Sequence, residues 1–128
     1  MGARSSVAKR LLPACVVALA LLPAGAMGHA VLVKAVPPQR ATLTESPPRV
    51  ELWFNERLEP AYSRAAVTDE AGKQMDLRDV TVSKEDPKRL SLSLPPLGPG
   101  RYTVRFRVLS VDGHVVESSL TFTVKSQR

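Results

Sequence analysis

Apolar and polar residues alternate with a period of two in four segments of the chain. Val50, Leu52 and Phe54 alternate with Glu51 and Trp53, and similar alternation occurs over residues 90–94, 102–108 and 120–124. Because successive side chains of an extended chain point to opposite faces, each segment is predicted to be a strand with one buried face. Proline and glycine clusters separate the segments, and none has a sustained helical period. The pattern therefore predicts an all-β fold.

Several short strands at regular spacing are typical of an immunoglobulin-like, Greek-key antiparallel β-sandwich. The 128 residues allow one ordinary domain, and the 11 prolines suit a sandwich because proline marks turns and sheet edges. In this interpretation Trp53 lies opposite the face formed by Val50, Leu52 and Phe54. We expect Trp53 to pack against the structure from outside the core.

Residues 1–28 have the pattern of a secretory signal peptide. Arg4, Lys9 and Arg10 precede an apolar run over residues 11–22, and small residues follow. The run is shorter than the roughly 20 residues that span a bilayer, so no membrane insertion is expected after processing. Cleavage after Gly28 gives a domain of residues 29–128 that begins at His29, whereas cleavage after Ala26 leaves Met27-Gly28-His29. Sequence rules allow both, and we take cleavage after Gly28 as the working hypothesis.

Removal of the signal changes what the charge and cysteine counts imply. The signal contains three of the 18 basic residues and none of the 12 acidic ones, so the formal charge falls from +6 to +3. It also contains Cys15, the single cysteine of the chain, so no disulfide is expected. Arg101, Arg105 and Arg107 form one basic row, which we interpret as the outward face of a strand. Nucleic acid is therefore not an expected partner.

Candidate metal ligands occur at both ends of the predicted domain. Asp112 and His114 are two residues apart and can present a carboxylate and an imidazole to one point. Asp-Gly is also a common turn dipeptide, so the motif alone is compatible with a plain hairpin. If His29 is the N-terminus, its α-amine and imidazole can chelate one ion. An amine, two imidazoles and a carboxylate are typical ligands of Cu(II), although Zn(II) accepts the same atoms with lower affinity.

Four stretches carry a resemblance to a known family. They are His29-Ala30-Val31-Leu32 with Pro37-Pro38 after it, residues 48–56, residues 67–73, and residues 99–114, which end in Ser110-Val111-Asp112-Gly113-His114. With these stretches the chain resembles the CopC family of periplasmic copper-binding proteins. The resemblance implies a β-sandwich that binds Cu(II) through His29, Asp112 and His114, with Glu56 as a secondary candidate ligand. It also implies a non-enzymatic role in copper tolerance or uptake, with an inner-membrane copper importer as a partner.

Two other functions are considered beside copper carriage. An N-terminal histidine with a second histidine is similar to the copper centre of small copper oxidases, although a carboxylate ligand favours the oxidised ion over redox cycling. If His29 is not the N-terminus, a metal-free interaction domain becomes the alternative, because the fold alone does not specify function. Met75 is the single methionine after the signal. One thioether cannot build the Met-rich Cu(I) site found in some members of the family, so a Cu(II)-only protein is expected.

Overall fold

The computed structural model of the chain describes residues 31–126, which form two four-stranded sheets. In chain order the strands are β1 Leu32–Val36, β2 Ala41–Leu43, β3 Arg49–Phe54, β4 Arg64–Thr68, β5 Thr81–Val82, β6 Arg89–Ser93, β7 Gly100–Leu109 and β8 Val115–Val124. A 3-10 helix, Pro60–Tyr62, precedes β4. The predicted signal peptide and His29 lie outside the described residues. Within residues 31–126, no helix is long and apolar enough to cross a membrane.

The strand order is that of an immunoglobulin-like sandwich. One sheet has the order β1-β3-β6-β5 and the other β2-β8-β7-β4, which confirms the predicted fold class. One pairing differs from the expected antiparallel arrangement, because β2 runs parallel to β8. Pro37 and Pro38 separate β1 from β2, and the chain changes sheet there. Since proline cannot donate to a ladder, this position suits an interruption between two short edge strands.

The core is built from the residues that the alternation assigned to the buried faces. In segments 50–54, 90–94, 102–108 and 120–124, every apolar residue predicted to face inward is buried. Phe54 of β3 meets Phe106 of β7 edge to face with ring centroids 5.6 Å apart, so this pair joins the two sheets. Tyr102 of β7 stacks on Phe122 of β8 at 5.5 Å within the second sheet. The two ring pairs fix how the layers pack.

Residues on the outward faces also lie where the alternation predicts. Trp53 is half-buried on the outer side of β3. The ammonium group of Lys34 lies 4.6 Å from the centroid of the Trp53 ring and forms a cation–π contact with it. Arg101 and Arg105 are exposed and Arg107 is half-buried, whereas Tyr102, Val104 and Phe106 between them are buried. The interpretation of the basic row as an outward strand face is therefore confirmed.

The hydroxyl is the one polar group of the Tyr102 side chain, and it closes the turn before β7. It donates a 2.7 Å hydrogen bond to the backbone oxygen of Gly98, four residues upstream, as in the tyrosine corner of immunoglobulin-like domains. Burial, and then the negative charges of Asp69 and Glu70, raise the pKa of the phenol above its usual value. The hydroxyl is therefore protonated, and able to donate, throughout the neutral range.

We expect Tyr102→Phe to lower the free energy of unfolding by about 0.5–1.5 kcal/mol, the net value of one such hydrogen bond. Because the folded-state pKa is raised, the stabilisation by the neutral phenol is present below pH ~10 and is lost as the pH rises further. Urea denaturation at pH 7 and above pH 10 measures both effects. Tyr62, whose exposure is 63 %, offers a matched control, since Tyr62→Phe should leave the urea midpoint unchanged.

Candidate metal centre

The motif Asp112-Gly113-His114 forms the connection between β7 and β8. Backbone hydrogen bonds of 2.9 Å run from Ser110 N to His114 O and from Gly113 N to Ser110 O, and they close a tight turn. Gly113 has a φ of 93°, while an added Cβ would meet no atom within 4 Å. Glycine is therefore favoured by the backbone conformation rather than by lack of space. The Asp-Gly dipeptide does form a turn, and this turn presents two candidate ligands.

Asp112 and His114 are brought together at this turn. The Nδ1 atom of His114 lies 3.2 Å from Oδ1 of Asp112, and the two side chains are about one-third exposed. The pKa of Asp112 is lowered, chiefly by a hydrogen bond from the Ser110 hydroxyl. Burial opposes this shift, and the hydrogen bonds and charge of His114 add to it. The carboxylate is thus ionised at neutral pH and offers a negatively charged oxygen to a cation. The imidazole offers its other ring nitrogen, Nε2, on the side away from this carboxylate.

The buried residue Ser110 supports this turn. Its side chain is buried, with 1 % exposure, and its hydroxyl donates to Oδ1 of Asp112. The hydroxyl oxygen of Ser110 in turn accepts a 3.2 Å hydrogen bond from the backbone N–H of His114. One buried hydroxyl therefore contacts both residues of the pair, so it fixes the carboxylate relative to the backbone that carries the imidazole.

The beginning of the described chain is anchored by Asn55, which follows β3 directly. Oδ1 of Asn55 accepts a 2.7 Å hydrogen bond from the backbone N–H of Val31, and the N–H of Asn55 donates to the oxygen of Val31 at 3.1 Å. Two hydrogen bonds thus hold the chain two residues after His29. His29 itself lies outside the described residues, so its position relative to the turn stays a prediction.

The loop that contains Asn55 is also tied to the turn that carries Asp112 and His114. The backbone N–H of Val111 donates to the oxygen of Arg57 at 2.9 Å, and the N–H of Glu59 donates to the oxygen of Leu109 at 2.8 Å. Between them, Leu58 pairs with Ser110 as an isolated bridge. Loop 55–59 therefore connects the anchored start of the described chain to the turn that carries Asp112 and His114.

Glu56 lies in this loop and is half-buried, but it does not complete a ligand cluster. Across residues 31–126, no group of three or more His, Cys, Asp or Glu side chains is placed to hold a metal ion. The described part of the chain brings together two of the four candidate ligands, Asp112 and His114. A complete site must therefore draw on a residue outside that part, as His29 would be, or on a movement of the loop.

Two residues that support the candidate centre, Ser110 and Asn55, are not among the ligands predicted from the sequence. For Ser110 a signal exists: it continues the inward series Tyr102, Val104, Phe106 and Val108, so a polar residue occupies a position of the buried face. Asn55 carries no such signal. Its contact with Val31 spans 24 residues, and only the pairing of β1 with β3 brings the two together.

Comparison with known proteins finds a family model, relatives and a solved structure that are similar to most of this chain. The family model described as "CopC domain" matches residues 32–125. Copper resistance protein C of Xanthomonas campestris pv. juglandis is 35% identical over 115 residues, covering 85% of this chain and 90% of that protein. Protein YobA of Escherichia coli (strain K12) is 35% identical over 98 residues, covering 76% and 79%. The crystal structure of CopC from Methylosinus trichosporium OB3b superposes with a TM-score of 0.73 at 39% identity, covering 78% of this chain and 97% of that one.

Proposed function

Because this chain belongs to the CopC family, we propose that it is a periplasmic Cu(II) carrier acting in copper tolerance or uptake. In this proposal the chain is not an enzyme, and it passes the ion to a copper importer in the inner membrane. The observation that carries the proposal is the pairing of Asp112 with His114 at one exposed turn, tied by loop 55–59 to the segment that follows His29. A similar family member named for copper resistance supports copper as the cargo.

The proposed ligands are the α-amine and imidazole of His29, an oxygen of Asp112 and the Nε2 atom of His114. Mixed nitrogen and oxygen ligands in a tetragonal arrangement suit Cu(II), and Cu(II) exceeds Zn(II) in affinity for such a set. Met75, the single methionine of the described chain, is half-buried and packs against the core. Soft thioether ligands for Cu(I) are therefore not gathered there, which supports Cu(II) as the bound ion.

The experiment that tests this function starts from the N-terminus of the exported protein. Mass spectrometry is expected to find His29 as the first residue, and titration of that form is expected to saturate at one Cu(II) per chain. Acetylation of the His29 amine provides a matched control in which one ligand is removed. We expect the acetylated chain to bind about 100-fold more weakly, equivalent to about 2.7 kcal/mol. Equal affinity of the two forms would contradict the proposed ligand set.

Ser110 offers a test of how the ligands are positioned. We expect Ser110→Ala to weaken Cu(II) binding by about 10- to 100-fold, as is usual when a hydrogen-bond partner of a ligand is removed. The reason is that Asp112 and the backbone N–H of His114 lose their shared contact. Isothermal titration with Cu(II) measures the change, and Ser119→Ala, at an exposed position of β8, serves as the control. Unchanged affinity in a folded Ser110→Ala protein would mean that the turn needs no such support.

A further inference from the structure

Three arginines project from one side of the second sheet, on two neighbouring strands. Arg64 lies on β4, and Arg105 and Arg107 lie on β7. Arg64 is directly opposite Arg107 in the strand pairing, while Arg105 lies two residues away on the same side. The three line a shallow depression of about 430 Å³ together with Glu117 and Ser119 of β8. We name Arg64, Arg105 and Arg107 the arginine face.

No arginine of the arginine face forms an ion pair within residues 31–126. The ion pair of Arg89 with Glu51 and the contact of His114 with Asp112 both lie outside it. Glu117 is opposite Arg107 in the pairing of β7 with β8, yet it forms no ion pair with it. Like charges directly opposite each other, as in the Arg64 and Arg107 pair, destabilise a sheet. The Arg64 and Arg107 pair therefore does not stabilise the sheet, and the opposite charge of Glu117 beside Arg107 offsets this repulsion only in part.

The other arginine of the basic row has different surroundings. Arg101, at the far end of β7, shares a depression with Asp69 and Glu70, and its backbone N–H donates to the Glu70 carboxylate at 3.4 Å. Acidic side chains thus accompany the basic one at that end. Arg105 also lines that depression, so the excess positive charge is greatest at the Arg64 and Arg107 pair, at the end of β7 that leads into the turn with Asp112 and His114.

The arginine face adjoins the candidate metal centre. Arg107 precedes Ser110 by three residues, which corresponds to about 10 Å along an extended strand. Tyr62, which is 63 % exposed, lines a smaller hollow with Arg64 and Arg107. Val111 and Val115, about half exposed, flank the motif on either side. Arginine and tyrosine are enriched at protein interfaces, and exposed apolar groups beside them add area that a partner can cover.

We propose that the arginine face is the docking surface for a carboxylate-rich surface of the protein that exchanges copper with this chain. The inference rests on the proposed function for the identity of that partner. Complementary charge would bring the partner over the turn and would orient it with the copper ligands at the contact. The planar guanidinium group also pairs with a carboxylate through two parallel hydrogen bonds, which sets direction as well as attraction.

A protein surface fits the arginine face better than an anionic membrane does. Basic clusters that bind acidic lipids usually contain about four to eight Lys or Arg residues. Here the three arginines line one depression together with a carboxylate, Glu117, and the exposed serine Ser119. A partner that carries carboxylates among neutral polar groups matches this mixture, because it can pair with the guanidinium groups and leave Glu117 facing a neutral position.

A glutamate octapeptide serves as the probe for this surface. We expect NMR titration at low salt to shift the side-chain Nε–H signals of Arg64, Arg105 and Arg107. The double variant Arg64→Gln/Arg107→Gln should bind the peptide about 10-fold more weakly. The control Arg49→Gln/Lys84→Gln removes the same charge from exposed positions on or next to the other sheet and should change binding by less than about threefold. Equal weakening in the two variants would refute a localised docking surface.

Three further measurements distinguish a docking surface from other roles of these arginines. Cu(II) affinity should be unchanged in Arg64→Gln/Arg107→Gln, so a failure of peptide binding is distinguishable from a failure of copper binding. The urea midpoint should be unchanged or higher, because a repulsive pair is removed. A lower midpoint would show that the arginines stabilise the fold and would overturn the proposal. Tighter binding of the wild-type chain to phosphatidylglycerol vesicles than to the peptide would also overturn it, in favour of a lipid surface.

Discussion

Phe54→Ala is expected to lower the free energy of unfolding by about 3–5 kcal/mol, the usual cost of removing a buried aromatic ring. The ring has 2 % exposure and meets Phe106 edge to face across the two sheets. Its removal takes away both the buried apolar area and the contact that joins the layers. Urea denaturation measures the loss, and the single tryptophan, Trp53, lies next to the mutated position and reports unfolding by fluorescence.

Phe54→Leu is the matched variant, because it keeps an apolar side chain in the same space. We expect it to lose clearly less stability than Phe54→Ala. A domain of this size usually has about 5–15 kcal/mol of stability, so the alanine variant should still fold at low temperature. A loss below about 1 kcal/mol in Phe54→Ala would mean that the sheets repack around the cavity and that this ring pair does not join them.

The strands β3, β6, β7 and β8 are predictable from the sequence for a simple physical reason. Each of these strands has one face against the other sheet, so its apolar residues must recur at every second position. Val50, Leu52 and Phe54 show this directly, and all three are buried as predicted. The immunoglobulin-like order follows from the number and spacing of such strands, which few other folds accommodate.

The short edge strands could not be predicted in the same way. The residues of β1 do not alternate between buried and exposed, and β2 and β5 have only three and two residues. A period of two indicates which side chains face the core, but it does not indicate which strand lies alongside. The parallel pairing of β2 with β8 is therefore a property of the tertiary fold, where the chain changes sheet after Pro37 and Pro38.

In the candidate site, too, the local contact could be predicted from the sequence, whereas contacts between distant segments could not. The pairing of Asp112 with His114 is local, so their spacing within one turn was enough to predict it. The link from Val31 through Asn55 and loop 55–59 to the turn depends on three separate segments meeting in space. Sequence spacing cannot reveal such a link. The part played by His29 lies outside the described residues and is still a prediction.

His114→Ala is expected to weaken Cu(II) binding by about 100- to 1,000-fold, equivalent to about 2.7–4.1 kcal/mol. The variant removes an imidazole nitrogen, the stronger copper donor of the pair that the turn brings together. Because this side chain is about one-third exposed, the urea midpoint should change little, which separates loss of the ligand from loss of the fold. His29→Ala should weaken binding to a similar extent while it leaves the turn intact.

Cu(II) binding of His114→Ala is measured by isothermal titration, and Glu56→Gln is the matched control. It removes a charge near the turn without removing a nitrogen. We expect it to change Cu(II) affinity by less than about threefold, since Glu56 forms no three-residue ligand cluster within residues 31–126. A loss as large as that of His114→Ala would instead make Glu56 a ligand, with loop 55–59 moving to bring it to the ion. If His29→Ala and His114→Ala both kept full affinity, copper would have to bind elsewhere on the chain, and the proposed carrier function would lose its site.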